Sequence, residues 1–177
     1  MSIIKLRNGE IEDLSKTTIE EIYLIDFVLN KIQNFTFWYT DDIDGFLLSE
    51  NKKIRTFSNR TEAKSFAQAY GFKMIDEAVI ISSDIVFTLD TETLNCDVIL
   101  TYWNILSDVA MSVNRQFLGD SRTEEIQKIY NKLFYGCNLP AIKKDGDDFL
   151  PIWSEKEVQK IVEVIENGLQ ILSDSLE

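Results

Sequence analysis

Histidine is absent from all 177 residues. Its absence removes Ser-His and Cys-His nucleophile activation, imidazole acid/base chemistry and nearly every zinc site. Proline (2) and glycine (7) are scarce, and no stretch rich in Pro, Gly or Ser divides the chain, so one domain without a linker is expected. The two cysteines, Cys96 and Cys137, form no C-x-x-C pair. Reduced, buried thiols are therefore expected, in a cytoplasmic protein with no secretion signal. No apolar run reaches the ~18 residues needed to span a bilayer, since Asp26 interrupts the longest candidate. Neither G-x-x-x-x-G-K nor a strand followed by G-x-G-x-x-G occurs, so phosphates have no recognisable cradle.

Negative charge is plentiful: 30 acidic against 18 basic side chains, a formal net charge of −12. Such a surface repels phosphate and anionic lipid on average and steers cationic proteins inward. Direct nucleic-acid and membrane partners are not expected. At 45% apolar and 11% aromatic content the chain can fill a sizeable core.

Periodicity predicts an α+β fold, an antiparallel β-meander packed against about five helices, with a helix-rich C-terminal half. The sheet and its helices take up about residues 1–90 and the helical part about 91–177 of a single domain, 1–177. Thr17-Thr18-Ile19-Glu20 reads as a capping box opening a first helix through Ile32. Strands follow at Phe35–Tyr39, Gly45–Leu48 and Ile54–Phe57. A second helix covers roughly 60–70 and stops at Gly71. Val79–Leu89 reads as one interrupted strand or two short ones, and helices follow with Val98–Val113, Ile126–Phe134 and Val158–Leu169 on their apolar faces.

Several clusters carry candidate chemistry. Asp41-Asp42-Ile43-Asp44-Gly45 has the carboxylates of a calcium loop, but Thr40 and Asn51 fall where acidic end ligands are required, so a solvated turn is expected. Asp84, Asp90, Glu92 and Asp97 cluster at the start of the long helix, where the helix dipole alone favours them. Asp108 sits inside that helix's apolar pattern and must find a partner or shift its pKa. Trp38 and Trp103 read as core, whereas Trp153, before a helix cap, suits a hydrophobic staple or an interface anchor. No catalytic residue, cofactor or metal ligand is assigned.

Two stretches together resemble bacterial immunity proteins against polymorphic toxins, including those of contact-dependent growth inhibition. One is Trp38-Tyr39-Thr40-Asp41-Asp42-Ile43-Asp44-Gly45-Phe46-Leu47-Leu48, continuing to Phe66-Ala67. The other is Tyr102-Trp103-Asn104-Ile105-Leu106-Ser107-Asp108, with Tyr130–Gly136 and the Asn138-Leu139-Pro140 loop. The resemblance implies a non-catalytic cytoplasmic protein that neutralises a cognate basic toxin domain, of nuclease type, in a 1:1 complex that covers its active site. The positions expected to touch that partner are Asp41, Asp42 and Asp44 on the turn, Asp145, Asp147 and Asp148 on the late loop, and Trp153. The alternative is an acidic nucleic-acid mimic or adaptor that occupies a DNA-binding protein.

Overall fold

The computed structural model describes residues 4–7, 10–13, 21–40, 44–141 and 148–177. It has mixed α and β structure. A two-stranded antiparallel hairpin, β1 (Ile4–Arg7) and β2 (Glu10–Asp13), precedes a four-stranded sheet of β3 (Glu21–Leu29), β4 (Ile32–Tyr39), β5 (Gly45–Phe46) and β6 (Lys73–Ser82). Four helices follow the strands or divide them: α1 (Arg60–Tyr70), α2 (Cys96–Ser112), α3 (Glu124–Gly136) and α4 (Glu155–Ser175). Two expectations are corrected, since the described residues hold four helices rather than about five and the sheet is not purely antiparallel. Its order is β5-β4-β3-β6, with β3 parallel to β6 and antiparallel to β4.

The helix expected through Ile32 is instead the β3–β4 hairpin. Asn30 and Lys31 both have positive φ, 50° and 67°, and Leu29 pairs with Ile32, which defines a two-residue loop. Two left-handed central residues give the turn whose twist matches a hairpin, and asparagine tolerates that conformation well. β3 misleads because its apolar residues face two cores. Ile22 and Leu24 pack toward α1 while Ile25, Phe27 and Leu29 pack toward α2, so no polar face interrupts the run. The capping box at 17–20 lies outside the described residues.

Of the expected meander, β4 and β5 pair as read, but the segment around Ile54–Phe57 contributes only single bridges, Leu48 and Leu176 with Ile54 and Phe35 with Phe57. The strand placed at Val79–Leu89 begins earlier, at Lys73, and gives way to a 3-10 turn over Ser83–Phe87.

The helices begin and end as their capping signals dictate. Asn59 Oδ1 accepts from the Glu62 amide, Glu62 accepts from the Ser58 amide, and Gly71 closes α1 at φ 74°. Ser154 and Glu157 form a reciprocal capping box on α4. α1 covers one face of the sheet, with Ala63 and Ala67 against Phe35, Phe37 and Tyr39. α2, α3 and α4 cover the other, around Trp103, Leu106, Leu133 and Ile165.

α2 and α4 cross closely where Gly168 faces Leu106. A methyl group at Gly168 would lie 2.7 Å from Leu106 Cβ and 2.9 Å from Phe117 Cε2. Gly168→Ala should therefore be destabilising despite alanine's better helix propensity, by a net ~1–2 kcal/mol, which corresponds to a Tm lower by about 3–8 °C. A thermal melt checks this, and an unchanged or higher Tm would mean that the helices can separate without cost.

Candidate partner-binding surface

α2 is tied to the sheet by polar contacts along its length. The Ser82 amide donates to Tyr102 Oη at 2.7 Å, Trp38 Nε1 donates to Asp108 Oδ2 at 3.0 Å, and the Phe46 amide donates to Ser112 Oγ at 2.9 Å. The last two bonds bring the start of β5 and the C-terminal half of α2 together. Asp44, immediately before β5, is thereby held near Asp108. The next turn of chain adds Asp120, which accepts from Ser107 Oγ at 2.7 Å.

Asp108 is the electrostatic centre of this group. Burial raises its pKa most, the Trp38 N–H opposes that, and the charges of Asp44 and Asp120 push it up again, to about 6 from 3.8. Elsewhere carboxylates commonly meet cations: Arg60 with Asp76, Lys73 with Glu21, Lys128 with Glu124, Lys132 with Glu157, and Lys156 with Glu125. Among the described residues, no lysine or arginine is ion-paired with Asp44, Asp108 or Asp120. Nor do the described residues contain a group of three or more acidic or cysteine ligands placed to hold a metal ion.

Of the acidic positions expected to touch a partner, Asp44 and Asp148 fall among the described residues. Asp44 lies at the C-terminal end of α2, and Asp41 and Asp42 lie outside the described residues. Asp148 is exposed on the α3–α4 connection, while Asp145 and Asp147 lie outside the described residues. That connection packs where α2 begins: a methyl on Gly136 would meet Cys96 Sγ and Pro151 Cγ. From Cys96 to Asp108 the helix rises about 18 Å, which separates Asp108 and Asp44 from the Pro151 part of that connection.

Trp153, also expected to touch a partner, is buried. Only 6% exposed, it is part of the core, with Lys132 Nζ 4.5 Å from its ring centroid. Its neighbours carry the exposure: Leu150 (80%) and Ile152 (89%) are open to solvent beside Tyr135 and Phe149. The connection is pinned at its neck, where Asn138 Nδ2 donates to the Phe149 carbonyl at 3.0 Å and the Phe149 amide donates to Asn138 Oδ1 at 2.7 Å.

The remaining candidates are structural in this arrangement. Asp90 closes a turn by accepting from the Thr93 hydroxyl, which lowers its pKa most, and from the Thr93 and Glu92 amides. Trp103 is core and donates to the Gly119 carbonyl at 3.3 Å. Both cysteines are free thiols. Burial raises the Cys96 pKa, and burial together with the Asp97 carboxylate pushes Cys137 up to about 12, so both are protonated near neutrality. Reading the sequence missed Asp120 altogether, and nothing local marks it, because its significance comes from Ser107 and Asp108 packing beside it.

No protein-family model matches the chain, and no curated protein matches it. One solved structure, described as the crystal structure of the SatS C-terminal domain in complex with bromine, is similar over 88% of this chain and 92% of that one. The sequence identity is 16% and the TM-score 0.46. Among the described residues no helix is long and apolar enough to cross a membrane.

Proposed function

We propose that the protein is a non-catalytic cytoplasmic binding protein, an immunity protein that neutralises a cognate basic toxin domain of nuclease type by covering its active site in a 1:1 complex. One observation carries the reading: Asp44, Asp108 and Asp120 come together from three separate segments, and among the described residues none of the three is ion-paired, although Arg115 and Arg122 flank Asp120. Crowding like charges around a half-buried carboxylate costs the free protein stability. A partner's lysine or arginine would remove that cost and add charge-assisted hydrogen bonds. The net charge of −12 acts in the same direction at long range, speeding encounter with a cationic cleft.

The test is co-expression with the product of the adjacent open reading frame. Growth should be rescued and the two proteins should co-purify in a 1:1 ratio. A harmless neighbour with which no complex forms would refute the reading.

A further inference from the structure

A cavity of about 250 Å³ separates α2 from the sheet beside this acidic surface, walled by Tyr23, Trp38, Thr40, Val79, Thr101 and Ile105. It lies below the ~300–1,000 Å³ range of metabolite pockets. An apolar cavity of about 150 Å³ already admits benzene, so this one has room for a single phenyl or branched aliphatic group. Its walls are mostly apolar, and the Tyr23 ring meets the Trp38 indole edge-on at 5.3 Å between centroids.

The cavity is continuous with the carboxylates. Thr101, Ile105 and Asp108 follow one another at i, i+4 and i+7 along one face of α2, so Asp108 is the next side chain in the row that lines the cavity. Trp38 belongs to both, as a wall of the cavity and as the donor to Asp108. Thr40, at the other side, is the residue from which the chain runs to Asp44.

We infer that this cavity is the anchor pocket of the interface and receives one aromatic or branched aliphatic side chain of the partner, flanked in the partner's chain by lysine or arginine. The inference rests on the proposed binding of a cationic protein and names what that protein must present. Asp108, next along α2 from the cavity wall, and Asp44 near it select the flanking charge, and a desolvated apolar centre supplies the affinity that exposed charge pairs do not.

The experiment uses short peptides as probes and the Trp38 indole N–H as reporter, its NMR cross-peak identified by loss in Trp38→Phe. Acetyl-Lys-Phe-Arg-amide should shift that signal saturably, with a Kd at least ~10-fold below that of acetyl-Lys-Gly-Arg-amide, because its phenyl group leaves water for the cavity. Acetyl-Glu-Phe-Glu-amide should leave it unmoved. Filling the cavity by Ile105→Phe, or narrowing it by Thr101→Phe, should abolish the difference between the two cationic peptides. Equal binding of those two peptides to the native protein would overturn the pocket and leave the acidic surface standing. Binding of the acidic phenylalanine peptide as tightly as the basic one would overturn the charge selection, and failure of both cationic peptides would overturn the pocket and count against the cationic-partner reading as well.

Discussion

Asp108→Asn should raise the Tm at pH 7 by about 3–8 °C, an uncommon outcome for a change in the interior of a helix. The carboxyl of Asp108 has a folded-state pKa of about 6 against 3.8 for the free side chain. The folded protein therefore holds that proton more tightly than the unfolded chain does, and its stability falls as pH rises between the two values. Below about pH 4 the group is protonated in both states and the penalty vanishes. Above pH 6 it is fully present. Two pKa units correspond to an upper bound of about 3 kcal/mol, and partial access to solvent reduces the recoverable part to roughly 1–2 kcal/mol. Asparagine keeps an oxygen to accept from Trp38 Nε1, so the tie between α2 and β4 survives. Melts of the native and variant proteins should coincide near pH 4 and separate steadily to pH 7. A variant less stable than the native protein at pH 7 would show that the charged carboxylate is a favourable part of the fold.

Reversing charge at Asp44 and Asp120 together, to lysine, should weaken binding of the cationic partner by at least about 100-fold. Most of the loss in steering should appear in the association rate, and the affinity should become far less sensitive to salt. Asp120 is exposed and Asp44 partly so, and neither is ion-paired within the protein among the described residues, so the variant should fold normally. Relief of repulsion on Asp108 should if anything stabilise it. Glu92→Lys is the control, since it makes the same charge change on an exposed residue in the turn before α2 and should alter affinity less than about 3-fold. Kinetic binding measurements on the variants separate the two cases. Equal losses from both would mean that only net charge matters and that the surface around Asp108 has no special role.

How legible these features were depends on how far apart in sequence their parts lie. α1 and α4 could be placed to within a few residues because Asn59, Glu62 and Gly71, and then Ser154 and Glu157, act within a few residues of themselves. α2 and α3 were legible from apolar spacing alone. β3 was not, because a strand buried on both faces lacks the alternation that separates it from a buried helix. The signal that could have corrected it was Asn30-Lys31, a pair that accepts the left-handed turn of a hairpin. The parallel pairing of β3 with β6 rests on a crossover through α1, and no local residue announces it.

The site divides in the same way. Asp44 was visible in an acidic turn, and Asp108 stood out as a charge within an apolar helix. Their juxtaposition depends on Trp38 reaching across 70 positions to Asp108 and on Ser112 receiving the Phe46 amide, contacts written only in the tertiary structure. Trp153 was ambiguous in the sequence. Its position before a cap suited both a staple and an anchor, and Lys132 over its ring, together with its burial, favours packing over contact with a partner.

The most direct measurement is calorimetric titration of the protein with the product of the adjacent open reading frame, repeated at increasing salt. A single 1:1 transition is predicted, with an affinity that falls steeply as salt rises and is at least about 100-fold weaker in the Asp44→Lys, Asp120→Lys double variant. No heat of binding, or a complex indifferent both to salt and to the double reversal, would contradict the claim that these carboxylates exist to meet another protein's cations.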